Sequence, residues 1–166
     1  MATLEDRLRA LEDEREIRRT LTQYAHAIDR RDTEEPAMLG DCFTEDAVWW
    51  ASIDGPWAGA GGARHTGRTE IEAWVQGMRS SGSGPHPKGK HYLVGPDIRV
   101  DGDRATAESY HLGAGASPEG MKPNSMGRYL DVLIRCPDGR WRIKERHFAK
   151  EGASVEAQTR VVGARH

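Results

Sequence analysis

Apolar and charged residues alternate with helical periodicity through the first part of the chain. Apolar side chains recur at steps of four, three and four, at Ile17, Leu21, Tyr24 and Ile28. This spacing places them on one helix face, which must be buried against a sheet or another helix. Thr3 and Asp6 have the spacing of a capping box, so we predict a helix that starts there and continues to Asp32.

The central part of the chain predicts short elements of both kinds. Residues 33–43 are typical of a short helix, because Pro36 is tolerated in a first turn. Residues 46–53, DAVWWASI, combine aromatic and β-branched side chains and predict a strand. A second capping box, Thr69 with Glu72, precedes another amphipathic pattern and predicts a further helix.

From His91 onward the hydrophobic period becomes that of strands. Two pairs of strand-like segments are separated by the turn sequences DGD and PDG, which predicts two hairpins. Helices followed by a run of antiparallel strands indicate an α+β fold in which a curved, mostly antiparallel sheet wraps around the N-terminal helices. We expect one domain over residues 1–150, with residues 151–166 forming either a mobile tail or a subunit contact.

Composition restricts the class of partner. The chain has 166 residues, 24 Lys plus Arg against 26 Asp plus Glu, and a formal net charge of -2. This balance argues against nucleic acid or a membrane surface as the partner and favours a small molecule, which an apolar pocket would require to be hydrophobic. Cys42 and Cys136 are far apart and have no metal-site spacing, so we expect reduced thiols. The N-terminal segment lacks an apolar core, and we expect a cytoplasmic protein.

The sequence lacks the motifs of a phosphate-binding loop and of a metal site. The glycine-rich segment GPWAGAGGARHTG lacks both the GxGxxG and the GK[ST] pattern, so it does not predict a phosphate loop. Seven histidines are present, but none belongs to an HExxH or similar metal motif. We therefore expect neither a metal nor a cofactor.

Two residues are singled out as candidates for acid–base chemistry. His91 begins a strand directly after a flexible connection, at the expected rim of a sheet. Asp29 lies near a helix C-terminus, where the macrodipole disfavours an acid, so its position calls for an explanation. The alternatives are a polar strand end for His91 and a surface ion pair with Arg30 or Arg31 for Asp29. His26 lies close to Tyr24 and Asp29 at the end of the same helix and is a further candidate for proton exchange, with a surface or subunit contact as the alternative.

The same segments carry a family resemblance. The helix with Tyr24 and Asp29 in a YxxxxD pattern, DCFTEDAVWW, GKHYLVGPDIRVDGDRA and CPDGRWRIKERHF together resemble the SnoaL-like branch of the nuclear-transport-factor-2-like superfamily over residues 4–150. The resemblance implies a cone-shaped α+β barrel with a deep apolar pocket, and a homo-oligomer, either dimer or trimer. Members of this superfamily include dehydratases, isomerases, cyclases, epoxide hydrolases and non-catalytic subunits, so the fold does not settle the function.

Within the superfamily the chain is most similar to bile-acid 7α-dehydratase, scytalone dehydratase and hexachlorocyclohexane dehydrochlorinase. Their helix aspartate and strand histidine fall on Asp29 and His91, and the tyrosine of the bile-acid enzyme falls on Tyr24. The second catalytic histidine and the asparagine of scytalone dehydratase find no counterpart. Its pocket tyrosine falls near Trp50, and the late arginine of the bile-acid enzyme falls near Lys150.

The resemblance predicts a cofactor-free lyase of the dehydratase type. His91 would be the general base, Asp29 would orient it, and Tyr24 or the protonated His91 would return the proton. An isomerase or polyketide-cyclase-type enzyme using the same residues, and a non-catalytic binding or assembly subunit, remain open alternatives. We expect six further residues to line an apolar substrate pocket, although ordinary core packing is the alternative for each: Trp50, Trp74, Leu93, Tyr110, His111 and Phe148.

Overall fold

The computed structural model describes residues 2–29, 37–52, 64–81, 89–118 and 120–150. These ranges contain the helices α1 (Leu4–Asp29), α2 (Ala37–Gly40) and α3 (Arg68–Ser81). They also contain the strands β1 (Phe43–Ser52), β2 (Arg64–Thr66), β3 (Lys90–Asp101), β4 (Arg104–Ser117), β5 (Gly120–Arg135) and β6 (Trp141–Lys150). The proposed tail at residues 151–166 lies outside the described residues, and so does most of the flexible connection predicted before His91, at residues 80–90.

The strands form one curved, mixed sheet of order β2-β1-β6-β5-β4-β3. β1 pairs with β6 in parallel, and the other neighbouring pairs are antiparallel. Within the described residues β2 and β3 are the edges, so the sheet does not close on itself. α1 packs against β3 and β6, while α3 packs against β1 and β2. The predicted α+β fold, with helices enclosed by a mostly antiparallel sheet, is confirmed.

Helix α1 has a sharply defined start and two different halves. The backbone N–H of Thr3 donates to Asp6 Oδ2 at 2.8 Å, and the backbone N–H of Asp6 donates to Thr3 Oγ1 at 3.1 Å, as the capping box predicts. Residues 4–12 are exposed, whereas Ile17 and the apolar residues after it are buried. The described helix ends at Asp29, and the predicted continuation to Asp32 lies outside the described residues.

The predicted capping box at Thr69 and Glu72 is wrong. α3 begins at Arg68, directly after Gly67, which adopts a φ of 90°. The carboxylate that accepts a backbone N–H at this helix start therefore belongs to Glu70, whose Oε2 is 3.1 Å from the nitrogen of Thr66. Because the helix starts earlier than predicted, the capping carboxylate is that of Glu70 and not that of Glu72. Glu70 therefore lies beside β2.

Both predicted hairpins are present, with glycine at a positive φ in each turn. Gly102 has a φ of 58° between β3 and β4, and Gly139 has a φ of 79° between β5 and β6. Neither Cys42 nor Cys136 forms a disulfide. In the described ranges, none of the helices combines the length and apolar character needed to cross a bilayer.

Candidate acid–base site

Asp29 and His91 form a close pair at the junction of α1 and β3. His91 Nδ1 lies 2.6 Å from Asp29 Oδ1. The backbone N–H of His91 also donates to both carboxylate oxygens, at 3.1 and 3.0 Å. The side chain of His91 is 12% exposed, and that of Asp29 is 7% exposed. A carboxylate only accepts hydrogen bonds, so it selects the tautomer that carries its proton on Nδ1 and leaves a lone pair on Nε2.

This geometry explains an acidic residue at a helix C-terminus. The negative end of the helix dipole would disfavour Asp29, but two N–H groups of His91 compensate by donating to its carboxylate. The buried face of α1 packs against β3, which fixes the end of the helix beside the start of the strand. The sequence placed these two groups on separate elements, and the helix–sheet packing brings them together.

A second histidine lies next to this pair. His111 on β4 is paired with Leu93 on β3, and its ring centroid is 5.2 Å from that of His91. His111 Nε2 is 2.9 Å from Ser125 Oγ, while its Nδ1 is buried without a hydrogen-bond partner among the described residues. Burial, followed by the neighbouring His91 and Arg146, lowers the pKa of His111 to about 3. His111 is therefore a neutral imidazole near pH 7.

Aromatic rings continue from His111 along the concave face of the sheet. Its centroid is 5.0 Å from Tyr129 and 5.0 Å from Phe148. Leu93 is partly buried and packs against the same core. Opposite His111 stands Gly127, where an added Cβ would lie 2.3 Å from a backbone oxygen and 3.0 Å from the Phe148 ring. A side chain at Gly127 would thus collide with the backbone and displace a neighbour of His111.

Tyr24 lies deeper than the pair to which the sequence assigns it. It is 1% exposed, and its hydroxyl accepts a hydrogen bond from Trp49 Nε1 at 3.2 Å. Burial raises the pKa of Tyr24 despite the opposing charge of Arg146. Its ring contacts Tyr129 at 5.8 Å, and Tyr129 contacts His111. Among the described ring contacts, the rings of Tyr129 and His111 therefore lie between Tyr24 and His91.

A fully buried ion pair supports these tyrosines and was missed by the sequence analysis. Arg146 Nε and Nη2 donate to Asp131 Oδ1 and Oδ2 at 2.7 and 2.8 Å. The guanidinium carbon lies 3.8 Å from the ring centroid of Tyr24 and 4.5 Å from that of Tyr129. Burial opposes ionisation of Arg146, but Asp131 raises its pKa above the ordinary value. Asp131 within the apolar segment YLDVLI was the available sequence signal for this pair, whereas Arg146 lies among several charged residues in WRIKERHF and gave no signal of its own.

Two predicted pocket residues face away from this site, and their assignment is wrong. Trp50 is on the outer face, where its ring stacks on His147 at 5.0 Å. Tyr110 is 67% exposed and alternates with the buried His111. Successive strand residues point to opposite faces, so Trp49 replaces Trp50 on the concave side. Trp74 does lie on that side, 4.2 Å from Trp49 between ring centroids.

Buried neutral histidines predict a loss of stability in acid. Burial lowers the pKa of His147 to about 4 and that of His111 to about 3, against an ordinary value of 6.5. The unfolded chain therefore binds more protons below pH 6.5, so the stabilising effect is complete above that pH and is lost progressively as the pH falls from 6.5 to about 4 for His147 and to about 3 for His111. Urea unfolding should show a decrease in the free energy of unfolding with an upper limit on the order of 1.4 kcal/mol per unit of pKa shift. His147→Gln should reduce the pH dependence, whereas His26→Gln at an exposed position should not; equal curves for the two variants would contradict the assignment.

Within the described ranges, no group of three or more His, Cys, Asp or Glu side chains is arranged to hold a metal ion. The groups that the structure does bring together are a carboxylate–imidazole pair, a neutral imidazole and a surrounding layer of aromatic rings. An imidazole held in one tautomer with a lone pair available is suited to accepting a proton. The chemistry that these side chains can supply is proton transfer beside an apolar surface.

The fold and this pair define an α+β cone with an aspartate–histidine pair between its first helix and its sheet. A model of the SnoaL-like domain matches residues 9–147, and the chain belongs to this family. The family lies within the nuclear-transport-factor-2-like superfamily, so the resemblance seen in the sequence is confirmed. No curated protein sequence matches the chain.

Solved structures agree on the fold. A nuclear-transport-factor-2-like protein from Novosphingobium aromaticivorans is 24% identical with a TM-score of 0.74, covering 96% of this chain and 97% of that chain. A protein of unknown function from Mycobacterium tuberculosis is 24% identical with a TM-score of 0.68, over 96% and 81%. A provisionally assigned scytalone dehydratase from N. aromaticivorans is 20% identical with a TM-score of 0.64, over 85% and 85%. At these identities the similarity establishes the fold alone.

Proposed function

We propose that this protein is a cofactor-free lyase that eliminates water from a hydrophobic cyclic small molecule. The observation that carries the proposal is the 2.6 Å contact between Asp29 and His91, which leaves His91 Nε2 available as a base. A structure of the same fold belongs to a provisionally assigned scytalone dehydratase, and this makes dehydration the first reaction to test. The aromatic residues around His111 favour a flat, apolar ring as the substrate.

The proposed reaction begins with proton transfer from carbon. His91 Nε2 takes a proton from a carbon next to a carbonyl group, and the C–H electron pair moves into an enolate. Asp29 stabilises the imidazolium that forms, because its carboxylate already accepts the Nδ1 proton. The C–O bond to the β-hydroxyl then breaks as the enolate electrons form the alkene. The departing oxygen takes the proton back from His91, and the products are an unsaturated ketone and water.

His111 has a different proposed role, because it stays neutral. When the Ser125 hydroxyl donates to Nε2, the proton of His111 is on Nδ1, and the His111 ring lies 5.2 Å from the His91 ring between centroids. A neutral imidazole in this tautomer can donate a hydrogen bond to the enolate oxygen as its charge develops. The Ser125 hydroxyl can also accept, so it permits either tautomer of His111. We assign to His111 stabilisation of the oxyanion and to His91 the proton transfer.

The test is a panel of cyclic β-hydroxy ketones incubated with the protein in deuterated buffer and followed by mass spectrometry. A lyase produces an alkene that is lighter by one water molecule. An isomerase or cyclase using the same pair incorporates deuterium or rearranges its substrate without losing water. If the protein binds members of the panel without either change, the lyase proposal fails and the alternative of a binding subunit replaces it.

A further inference from the structure

A second histidine–carboxylate pair lies at the opposite edge of the sheet. His65 on β2 has its Nδ1 3.3 Å from Glu70 Oε1 in the first turn of α3. The other carboxylate oxygen of Glu70 accepts the backbone N–H of Thr66. The side chain of His65 is 12% exposed, and its Nε2 is buried without a hydrogen-bond partner among the described residues.

The surroundings of His65 are aromatic and face the concave side of the sheet. The pairing of β1 with β2 places His65 directly opposite Trp49, whose indole N–H donates to the buried hydroxyl of Tyr24. The His65 ring stacks on Trp74 at 4.5 Å with an interplanar angle of 21°. Trp49 and Trp74 are themselves 4.2 Å apart between centroids. The rings of His65, Trp49 and Trp74 thus pack against one another in a single cluster.

A purely structural role does not account for the buried Nε2. Capping of α3 uses Glu70 Oε2, and stacking on Trp74 uses only the face of the His65 ring. A buried polar atom without a partner costs about 1–3 kcal/mol, which an apolar ring at this position would avoid. Because Glu70 accepts from Nδ1, Nε2 is left as a hydrogen-bond acceptor, as in the pair of Asp29 with His91.

We propose that His65 is a second polar anchor for the substrate, accepting a hydrogen bond from a hydroxyl group at the end of the molecule remote from the reacting carbons. The proposal rests on the proposed function in one respect, namely that the concave face binds the substrate. The indole rings of Trp49 and Trp74 would hold the flat part of the molecule. Since His65 and His91 lie on strands at opposite edges of the sheet, a substrate that contacts both is a hydroxylated compound with several rings.

The test compares two probes of similar shape, β-naphthol and β-methylnaphthalene, by isothermal titration calorimetry. His65→Asn keeps an amide near the position of Nδ1 to bond Glu70 but has no group at the position of Nε2. His65→Gln places an amide near Nε2 instead. His26→Asn makes the same substitution at an exposed histidine and is the matched control.

We expect the wild-type protein to prefer β-naphthol over β-methylnaphthalene by about tenfold or more, the value of one well-formed hydrogen bond to a buried group. The preference should be lost in His65→Asn, partly restored in His65→Gln and unchanged in His26→Asn. An undiminished preference in a folded His65→Asn variant would overturn the proposal. Thermal melting of each variant establishes that it is folded.

A second measurement does not depend on the variants. In protein labelled with ¹⁵N-histidine, saturating β-naphthol should shift the Nε2 resonance of His65, and the absence of any shift at saturation would refute the anchor. β-Naphthol has no hydroxyl that can be eliminated, so these results are independent of turnover. A His65-dependent preference in a protein that dehydrates no ketone would leave the anchor standing and reject the lyase.

Discussion

Replacing His91 with alanine should lower kcat/KM for a ketone that the protein dehydrates by about a hundredfold to ten-thousandfold, the usual contribution of a general base. The reason is that Asp29 holds Nδ1 of His91 and thereby leaves Nε2 of the same ring available to accept a proton. The measurement is the initial rate of alkene formation, followed by absorbance of the conjugated product, across the pH range.

Asp29→Asn provides a sharper variant at the same site. An asparagine amide can donate to Nδ1, which favours the His91 tautomer with its proton on Nε2 and so removes the base. The loss should approach that of His91→Ala, although the side chains are nearly the same size. His26→Ala, an exposed histidine on the same helix, should leave the rate unchanged. Equal activity of Asp29→Asn and wild type would remove the pair from the mechanism.

The largest effect on stability is expected at the buried ion pair. Arg146→Met should lower the free energy of unfolding by about 3–5 kcal/mol, because it leaves Asp131 buried and without its counter-ion. Urea unfolding at pH 7 measures this loss. The double variant Arg146→Met with Asp131→Leu should recover most of the loss, since replacing both members by apolar groups leaves no unpaired charge.

Arg99→Met is the matched control for this experiment. Arg99 pairs with Asp97 at 3.1 Å, but both side chains are exposed, at 79% and 65%. Solvent screens such a pair, so its removal should change the stability little. If Arg146→Met lowered the free energy of unfolding no more than Arg99→Met, the buried pair of Arg146 and Asp131 would not stabilise the packing around Tyr24 and Tyr129.

The acid–base pair was found in the sequence for reasons that do not depend on the details of packing. Asp29 lies at a helix terminus and His91 at a strand start, and both positions follow from hydrophobic periodicity. The family pattern then matched the same two residues. Tyr24 was found by the same route. Its complete burial was not predicted, because it results from contacts with Trp49 and Arg146 on distant strands.

The face to which a strand residue points was the weaker part of the prediction. The pairing of β5 with β6 shifts its register at one point, which places both Ile143 and Arg146 on the concave side although they are an odd number of positions, three, apart. Simple alternation from Ile143 would place Arg146 on the outer face. One irregularity of this kind reverses every later assignment on the strand, so Arg146 could not be assigned to the core from its position alone.

Local patterns therefore determined the helices, the hairpins and the α+β class, because periodicity and turn chemistry act over a few residues. The family resemblance was needed to link Asp29 with His91. Tertiary structure alone decided that His111 lies beside His91 as a neutral imidazole and that Arg146 lies beneath the tyrosines. It also placed His65 with Glu70 against the indoles of Trp49 and Trp74. These contacts depend on register and on packing between distant elements, and neither is encoded in the spacing of residues along one segment.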